Sequence, residues 1–341
     1  MTFKGYVAKR AVDSVFLLIV TIIFNFFLFR IMPGDPTIAL MGRQGQIRPE
    51  HRLALLERYG LDKPLHEQFM LYLENMLPNL AEGRLLPDLG ISFNRYPQEV
   101  TSLIFGYRLL NTITLMGLSI VLSFIIAILL GTIAAAKFKS RTDLASILST
   151  LTLYSTPVFW VGMLIIFIFF AMFIDIFGFN LIPLGGSPRL EDPKYANIFE
   201  WGLDYLYHMI GPLVTLTVSF IGGWFLIARD QMLGIFTEDY ITTARAKGLK
   251  ERRVLFVHAR KNAMLPLISL LAVAMTYLVT GATMTETVFS WDGLGLLTFN
   301  SVYRQDYPVL QGLFLLLASV TILSNFIADL LYAYLDPRIR Y

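Results

Sequence analysis

Residues that could support enzyme chemistry are sparse in this 341-residue chain. It has no cysteine, which excludes thiolate catalysis, disulfides and cysteine-bound metals. The sequence contains no Gly-Lys dipeptide, so it lacks the glycine-rich loop with which many ATPases hold phosphate. The HExxH pattern of zinc proteases is absent as well. We therefore expect no catalytic residue, no metal site and no cofactor bound by this chain itself.

Ionisable residues within apolar stretches would indicate another chemistry, the coupling of transport to an ion gradient. Carriers of that kind place titratable groups near the middle of the membrane. Here such residues lie within about two turns of the end of an apolar stretch, where capping or extension to the interface explains them. They are Asp13, Arg30, Asp175, Glu286 and Asp329. An ion-coupled secondary transporter is therefore disfavoured, but it stays open as an alternative.

The strongest local pattern lies in residues 237–266, TEDYITTARAKGLKERRVLFVHARKNAMLP. Thr237 is a candidate N-cap, and two acidic residues follow it in what would be the first helical turn. Lys247 suits the last turn, and Gly248 suits the position just after a helix, where a left-handed conformation is common. The segment therefore predicts a short helix, about 15 Å long.

One side of this short helix is apolar. Tyr240, Ile241 and Ala244 share that side, which is too short to span a membrane and is surrounded by charge. Such a face favours a protein partner. The alternative is a solvated basic loop that contains an interfacial helix.

The elements that position this loop are membrane spans. The chain is 55% hydrophobic and only 16% charged, and a bilayer core needs about 20 apolar residues per helix. The stretches that qualify are 11–32, 112–136, 145–170, 209–228, 267–287 and 309–331. We therefore predict an all-α integral membrane protein with six transmembrane helices.

Basic residues set the orientation of these spans, because lysine and arginine mark cytoplasmic loops. They cluster at the N-terminus (Lys4, Lys9, Arg10), between spans two and three (Lys137, Lys139, Arg141), throughout 229–266, and at Arg338 and Arg340. The opposite short loops carry only Arg189, Lys194 and Arg304. We expect a multi-pass protein of the plasma or inner membrane with both termini in the cytoplasm. The histidines then fall on both sides of the membrane, which excludes a shared metal site.

These patterns predict three regions. Residues 1–32 form the N-terminus and first span, 33–110 an extracytoplasmic cap, and 111–341 a five-helix transmembrane core with the cytoplasmic loop 229–266. In the cap, Pro64 suits the start of a helix, and apolar residues then recur at helical spacing.

The run ARAKGL at 244–249 resembles the EAA loop of binding-protein-dependent ABC importers. Other runs across the chain resemble the B-type permease subunit of the oligopeptide, dipeptide and nickel branch of that family. They are PGDP at 33–36, GLDKPL at 60–65, DLGISF at 88–93, NTITL at 111–115, STPVFWVG at 155–162, SWDGLG at 290–295, DYPVLQG at 306–312 and LDPRIRY at 335–341.

The chain departs from this family pattern at a few positions. Thr242, Thr243 and Ala244 stand where the general motif has Glu-Ala-Ala, Asp292 stands where a proline is frequent, and residues 77–86 look like extra length in the cap. Docking of a solute-binding protein is the property that these changes put in question.

The resemblance implies the type I ABC importer permease fold and a set of partners. These are a similar C-type permease, two ATP-binding subunits that bind ATP and Mg²⁺ and hydrolyse the ATP, an extracytoplasmic solute-binding protein, the lipid bilayer and a peptide substrate. The short cytoplasmic helix would dock on an ATP-binding subunit. The residues implied in this coupling are Tyr240, Ile241, Thr243, Ala244, Lys247 and Gly248.

The resemblance also implies that this chain forms half of a translocation pathway. Candidate lining residues are the polar groups within the spans: Asn25, Thr114, Ser155, Thr156, Ser219 and Thr280. Small hydroxyl residues also serve helix packing, so that alternative stays open. Oligopeptides or dipeptides are the expected substrates, with oligosaccharides or nickel chelates as alternatives.

Overall fold

The computed structural model describes residues 3–31, 57, 59–76, 86–274 and 277–335. Within these ranges the chain is helical apart from its connections, and the strand-like pairing is limited to an isolated bridge between Ile91 and Glu99. The predicted all-α fold is confirmed. The chain divides into two compact units, Met1–Thr112 with Val279–Thr283 and Asp292–Tyr341, and Ile113–Leu278 with Met284–Trp291.

The helices are numbered here in chain order. They are α1 (Phe3–Ile31), α2 (Leu65–Met76), α3 (Val100–Phe105), α4 (Tyr107–Ala136), α5 (Arg141–Ser155), α6 (Val158–Ile166), α7 (Phe173–Phe177), α8 (Ile198–Phe236), α9 (Asp239–Ala246), α10 (Glu251–Arg253), α11 (Arg260–Ala274), α12 (Tyr277–Thr280), α13 (Thr283–Val288), α14 (Leu294–Arg304) and α15 (Tyr307–Leu335). Wider π-helical turns at Phe167–Met172 and Val254–Ala259 join α6 to α7 and α10 to α11.

Five helical stretches in the described part of the chain are long and apolar enough to cross a membrane. They are Gly5–Arg30, Val100–Ala136, Val158–Phe177, Ile198–Phe236 and Tyr307–Ile327. The stretch 267–287, predicted as a further span, contains residues 275 and 276, which lie outside the described part of the chain, and within that part it ends as α12 and α13. Gly281 between the last two has a φ of +73°, a left-handed conformation that stops a helix.

The third predicted span, 145–170, has wrong boundaries. Helix α5 ends at Ser155, and a new helix starts after Pro157, so the crossing stretch runs from Val158 to Phe177 instead. Proline lacks a backbone N–H and disfavours helical geometry in the residue before it, and Thr156 accordingly has an extended backbone. The break could have been read from the sequence.

Helix α8 extends well beyond the predicted span 209–228. Its 39 residues are about 58 Å long, nearly twice the thickness of a bilayer core. The Asn197 side chain caps its first turn by accepting hydrogen bonds from the backbone N–H groups of Phe199 and Glu200. At the other end, residues 229–236, predicted as the start of the cytoplasmic loop, are a helical extension of the span.

In the first unit, α1 packs along α15, and α15 also packs against α3 and α14. Phe26 is fully buried, and its neighbour Phe29 contacts the ring of Phe314 at 5.8 Å. Gly312 permits the close approach of α3, since a Cβ there would lie 2.9 Å from side-chain atoms of Val100 and Ile104. The helix predicted to start after Pro64 is confirmed as α2, which begins at Leu65. Much of the predicted cap, including most of 77–86, lies outside the described residues.

In the second unit, α8 packs against α5, α6 and α11. A Cβ at Gly222 of α8 would lie 2.6 Å from the carbonyl oxygen of Thr150 on α5, so this crossing requires glycine. Phe124 and Trp224 pack edge to face between α4 and α8. The small residues thus set the helix spacing, and the aromatic rings fill the space around them.

The ionisable residues near the spans differ in exposure. Asp329 pairs with Arg10 at 3.3 Å, and Asp13 and Asp175 are exposed. Glu286 is fully buried, with 0% of its surface exposed, so the expectation that it extends toward an interface is wrong. Glu286 lies inside α13.

Candidate coupling helix and pathway residues

The predicted short cytoplasmic helix is α9, Asp239–Ala246. It begins at Asp239, one residue later than expected, because Thr237 does not cap it. The Thr237 hydroxyl instead donates to the carbonyl of Gly234, at the end of α8, and the extended Glu238 precedes α9. The N-cap prediction for Thr237 is therefore wrong, and Thr237 closes the preceding helix.

The C-terminal end of α9 has the predicted glycine geometry. Gly248 has a φ of +73°, and its N–H donates to the carbonyl of Arg245 at 2.9 Å. The N–H of Leu249 donates to the carbonyl of Ala244 at 3.4 Å. These two bonds form a Schellman motif, in which a left-handed residue satisfies the last helical carbonyls and turns the chain away.

The inner face of α9 is covered by the chain itself. Ile241 and Ala244 are 0% and 7% exposed, and they pack in an apolar cluster with Ala135, Met232, Val254, Ala259 and Ala263. The chain itself therefore covers the Ile241 and Ala244 part of the predicted apolar side, whereas Tyr240 is exposed. The apolar spacing of Ile241 and Ala244 serves packing on α8 and on the Val254–Ala259 turn.

The outer face of α9 carries the other predicted coupling residues. Tyr240, Thr243, Lys247 and Gly248 are exposed, and a Cβ at Gly248 would meet no atom within 4 Å. The Tyr240 hydroxyl accepts a hydrogen bond from Asn262 Nδ2 at 2.8 Å, which ties the helix to α11. The six predicted coupling residues thus fall into two groups: Ile241 and Ala244 anchor α9, and the other four face outward.

An ion pair near the loop holds Arg245, which lies on the exposed side of α9. Its guanidinium contacts Glu251 at 2.7 Å, and this hydrogen bond raises the pKa of Arg245 above its usual value. Both side chains are about half exposed, so solvent weakens the pair. The contact joins the two ends of the turn that contains Gly248.

A stronger ion pair fixes the helical extension that carries α9. Arg229 on α8 binds Asp143 through two parallel contacts, Nε to Oδ1 at 2.7 Å and a terminal nitrogen to Oδ2 at 2.8 Å. Asp143 is only 3% exposed and also accepts from the backbone N–H of Lys139. The Arg229 guanidinium lowers the pKa of Asp143. Sequence reasoning missed this pair because its residues are far apart in the chain.

Several of the predicted pathway residues form hydrogen bonds within their own unit. In the first unit, Asn25 is buried and donates to the carbonyl of Gln311 at 3.0 Å. In the second unit, Thr156 and Ser219 donate to carbonyls one turn earlier in their own chain segment. Ser155 is exposed. The Thr280 side chain lies outside the described part of the chain.

Thr114, like Asn25, contacts a different helix. Its hydroxyl lies 2.7 Å from the hydroxyl of Tyr205 on α8. The ring of Tyr205 packs 5.1 Å from that of Trp291, which is fully buried. Thr114 therefore helps to position an aromatic pair in the second unit.

Helix α5 has a row of hydroxyl groups that the sequence analysis did not single out. Ser149 and Thr152 are exposed and lie on the same helical side as Thr156, at spacings of three and four residues. Each hydroxyl donates to a carbonyl of the preceding turn, so the oxygen can still accept a hydrogen bond. The spacing of these hydroxyl residues, three and then four positions apart, is the sequence signal that could have revealed the row.

Asp292, the departure in the SWDGLG motif, has specific partners. Its carboxylate accepts hydrogen bonds from Arg108 Nε at 2.8 Å and from the hydroxyl of Tyr107. Its backbone carbonyl accepts a hydrogen bond from Asn111 Nδ2 at 2.9 Å. Thr112 Oγ1 accepts from the N–H of Leu294 at 2.8 Å. The NTITL and SWDGLG motifs therefore bind one another, and the acidic replacement is matched by a buried arginine.

The DLGISF and DYPVLQG motifs also meet. Asp306 is buried and accepts hydrogen bonds from the hydroxyl of Ser92 and from the backbone N–H of Phe93 at 3.0 Å. A further N–H, that of Asn94, donates to the same carboxylate at 3.3 Å. Motifs separated by more than two hundred residues thus form one anchored structure in the first unit.

The apolar helices and the exposed α9 define an integral membrane protein with a short helix held on a polar loop. The chain belongs to the family of binding-protein-dependent transport system inner membrane components, whose model matches residues 127–341. A second model, for the N-terminal part of binding-protein-dependent transport system membrane components, matches residues 3–116.

Characterised relatives cover nearly the whole chain. The oligopeptide transport system permease protein AppB of Bacillus subtilis is 33% identical over 337 residues, 99% of each chain. The dipeptide transport system permease protein DppB of Escherichia coli K12 is 36% identical over 333 residues, 93% of each chain. The di/tripeptide transport system permease protein DppB of Pseudomonas aeruginosa is 34% identical over 334 residues, also 93% of each.

Proposed function

We propose that this chain is the permease subunit of an ATP-driven ABC importer of dipeptides or oligopeptides. The observation that carries the proposal is α9, a short helix that is anchored from inside by Ile241 and Ala244 and faces outward with Thr243 and Lys247. A helix anchored in this way can transmit a push from a bound subunit to α8, because the two share one apolar cluster.

Energy for transport would come from two separate ATP-binding subunits, which hold ATP and Mg²⁺. This chain lacks a phosphate-binding loop, so we propose that it has no ATPase activity alone. Closure of the ATP-binding pair would move α9 together with the end of α8. Rigid-body motion of this kind is a standard route to alternating access.

The pathway would form between this chain and a similar C-type permease, with an extracytoplasmic solute-binding protein delivering the substrate. The hydroxyl row of Ser149, Thr152 and Thr156 supports a lining role for α5, since exposed polar groups are disfavoured against lipid. The basic loops support an orientation in which both termini are cytoplasmic.

A peptide substrate is supported by the relatives, which are oligopeptide, dipeptide and di/tripeptide transport permeases and match nearly the whole chain. The test is uptake by the complete complex in proteoliposomes, with labelled dipeptide, oligopeptide, oligosaccharide and nickel chelate offered in turn. We expect ATP-dependent accumulation of peptide, and none with a non-hydrolysable nucleotide. Accumulation of the sugar or the chelate without peptide uptake would overturn the substrate assignment.

A further inference from the structure

A small cavity lies within the first unit, between α1, α2 and α15. Its volume is about 30 Å³, and its lining includes Arg30, Gln68 and Gln311. A buried water needs a space of about 10–15 Å³. The cavity therefore has room for one or two waters and is too small for a peptide or a lipid headgroup.

Three buried polar atoms at this cavity have no protein partner at hydrogen-bond geometry, although the Tyr72 hydroxyl lies beside the Gln311 amide. They are Arg30 Nε, Gln311 Nε2 and Gln68 Oε1, two donors and one acceptor. Gln68 is 91% buried, and its Nε2 donates to the carbonyl of Lys63 at 2.9 Å, which fixes the orientation of its amide. An unsatisfied buried polar group is costly, so all three atoms require a partner.

We propose that this cavity is a water-binding site. One water molecule accepts hydrogen bonds from Arg30 Nε and Gln311 Nε2 and donates one to Gln68 Oε1. This matches the usual number of about three hydrogen bonds for a buried water. The water joins one residue from each of the three helices and so holds α2 against the first and last spans.

An anion such as chloride fits this site less well. It would accept from the two donors, but it has no hydrogen to give to Gln68 Oε1. The Arg30 guanidinium packs over the Phe26 ring, 5.2 Å from its centre. A neutral ligand with both donor and acceptor capacity is therefore favoured.

The direct test is a structure of the complete transport complex at a resolution that shows ordered water. We expect a peak about 2.7–3.2 Å from the three atoms. A second data set with chloride replaced by bromide should leave that peak unchanged. Absence of the peak, or an anomalous bromide signal at its position, would overturn the proposal.

An independent test uses stability of the same complex. Gln68→Leu and Gln311→Leu should each lower the melting temperature by about 2–4 °C. The double variant should lower the melting temperature by clearly less than the sum of the two single losses, because either substitution already disrupts the shared water. Gln98→Leu, at an exposed position, is the matched control and should have no effect. Additive losses from the two cavity variants would contradict a shared water.

Discussion

Arg229 and Asp143 face each other through two parallel nitrogen-to-oxygen contacts, at 2.7 and 2.8 Å. The pair joins the first turn of α5 to the extension of α8. Because α9 follows that extension and packs on it, the pair fixes the base from which α9 is presented.

Asp143→Asn should destabilise the protein by about 3 kcal/mol, because it leaves the mostly buried Arg229 without its counter-charge. The free energy of unfolding, or the melting temperature of the purified complex, measures the effect. Glu251→Gln breaks an exposed pair and is the matched control, with an expected cost of about 0–1 kcal/mol. Equal losses from both variants would mean that burial of the Arg229 pair contributes nothing.

The same pair predicts a pH dependence. The pKa of Asp143 is lowered in the folded protein, so its stabilisation is fully present above the unfolded value of about 3.9. It is lost as pH falls through the lower folded value. The stability difference between the parent protein and Asp143→Asn should therefore be constant from about pH 8 to 5 and shrink below about 4. A difference that disappears near neutral pH would point to another group.

Local chemistry explains which features the sequence could predict. Gly248 and Pro64 act on the backbone of their immediate neighbours, so the left-handed end of α9 and the start of α2 followed from residue type alone. The break at Pro157 carries the same kind of signal, and the prediction of one unbroken span there gave apolar length too much weight over proline geometry.

Contacts between distant segments could not be predicted in this way. The spacing of Ile241 and Ala244 indicates an apolar face, but it does not say whether the chain or a partner covers that face. The Arg229–Asp143 pair joins residues from different helices, and many other charged residues in the loops were equally plausible partners. Such pairings depend on how the helices pack, which a single sequence does not specify.

Gly248→Val should reduce ATP-coupled transport while the protein still inserts into the membrane. Valine is strained at a φ of +73° by about 1–3 kcal/mol, and relief of that strain would reorient α9. Space is not the problem, since no atom lies within 4 Å of a Cβ there. Gly248→Asn should be milder, because asparagine tolerates the left-handed region. Lys250→Ala is the control and should change little. Full transport by the valine variant would argue against a coupling role for α9.

The proposed orientation predicts the sides of the membrane from which two exposed loops can be labelled. Thr242→Cys and Glu191→Cys each introduce a single thiol into this cysteine-free chain. In sealed, right-side-out vesicles, an impermeant thiol reagent should modify the cysteine at position 191 but not the one at position 242. Inside-out vesicles should reverse the result. Labelling of both positions from one side would refute the orientation.

The two faces of α9 should respond differently to substitution. Thr243→Trp adds bulk to the exposed face, so it should prevent docking of an ATP-binding subunit without lowering the stability of the isolated chain. Ile241→Ala removes a fully buried side chain and should cost about 2–5 kcal/mol of stability.

Copurification of the ATP-binding subunits and the ATPase rate of the complex measure docking, and thermal unfolding measures packing. Glu191→Trp, at an exposed position in another loop, is the control for added bulk and should leave docking intact. If Thr243→Trp assembles and hydrolyses ATP like the parent, the outward face of α9 is not the docking surface. The residues that anchor α9 would then have a purely structural role.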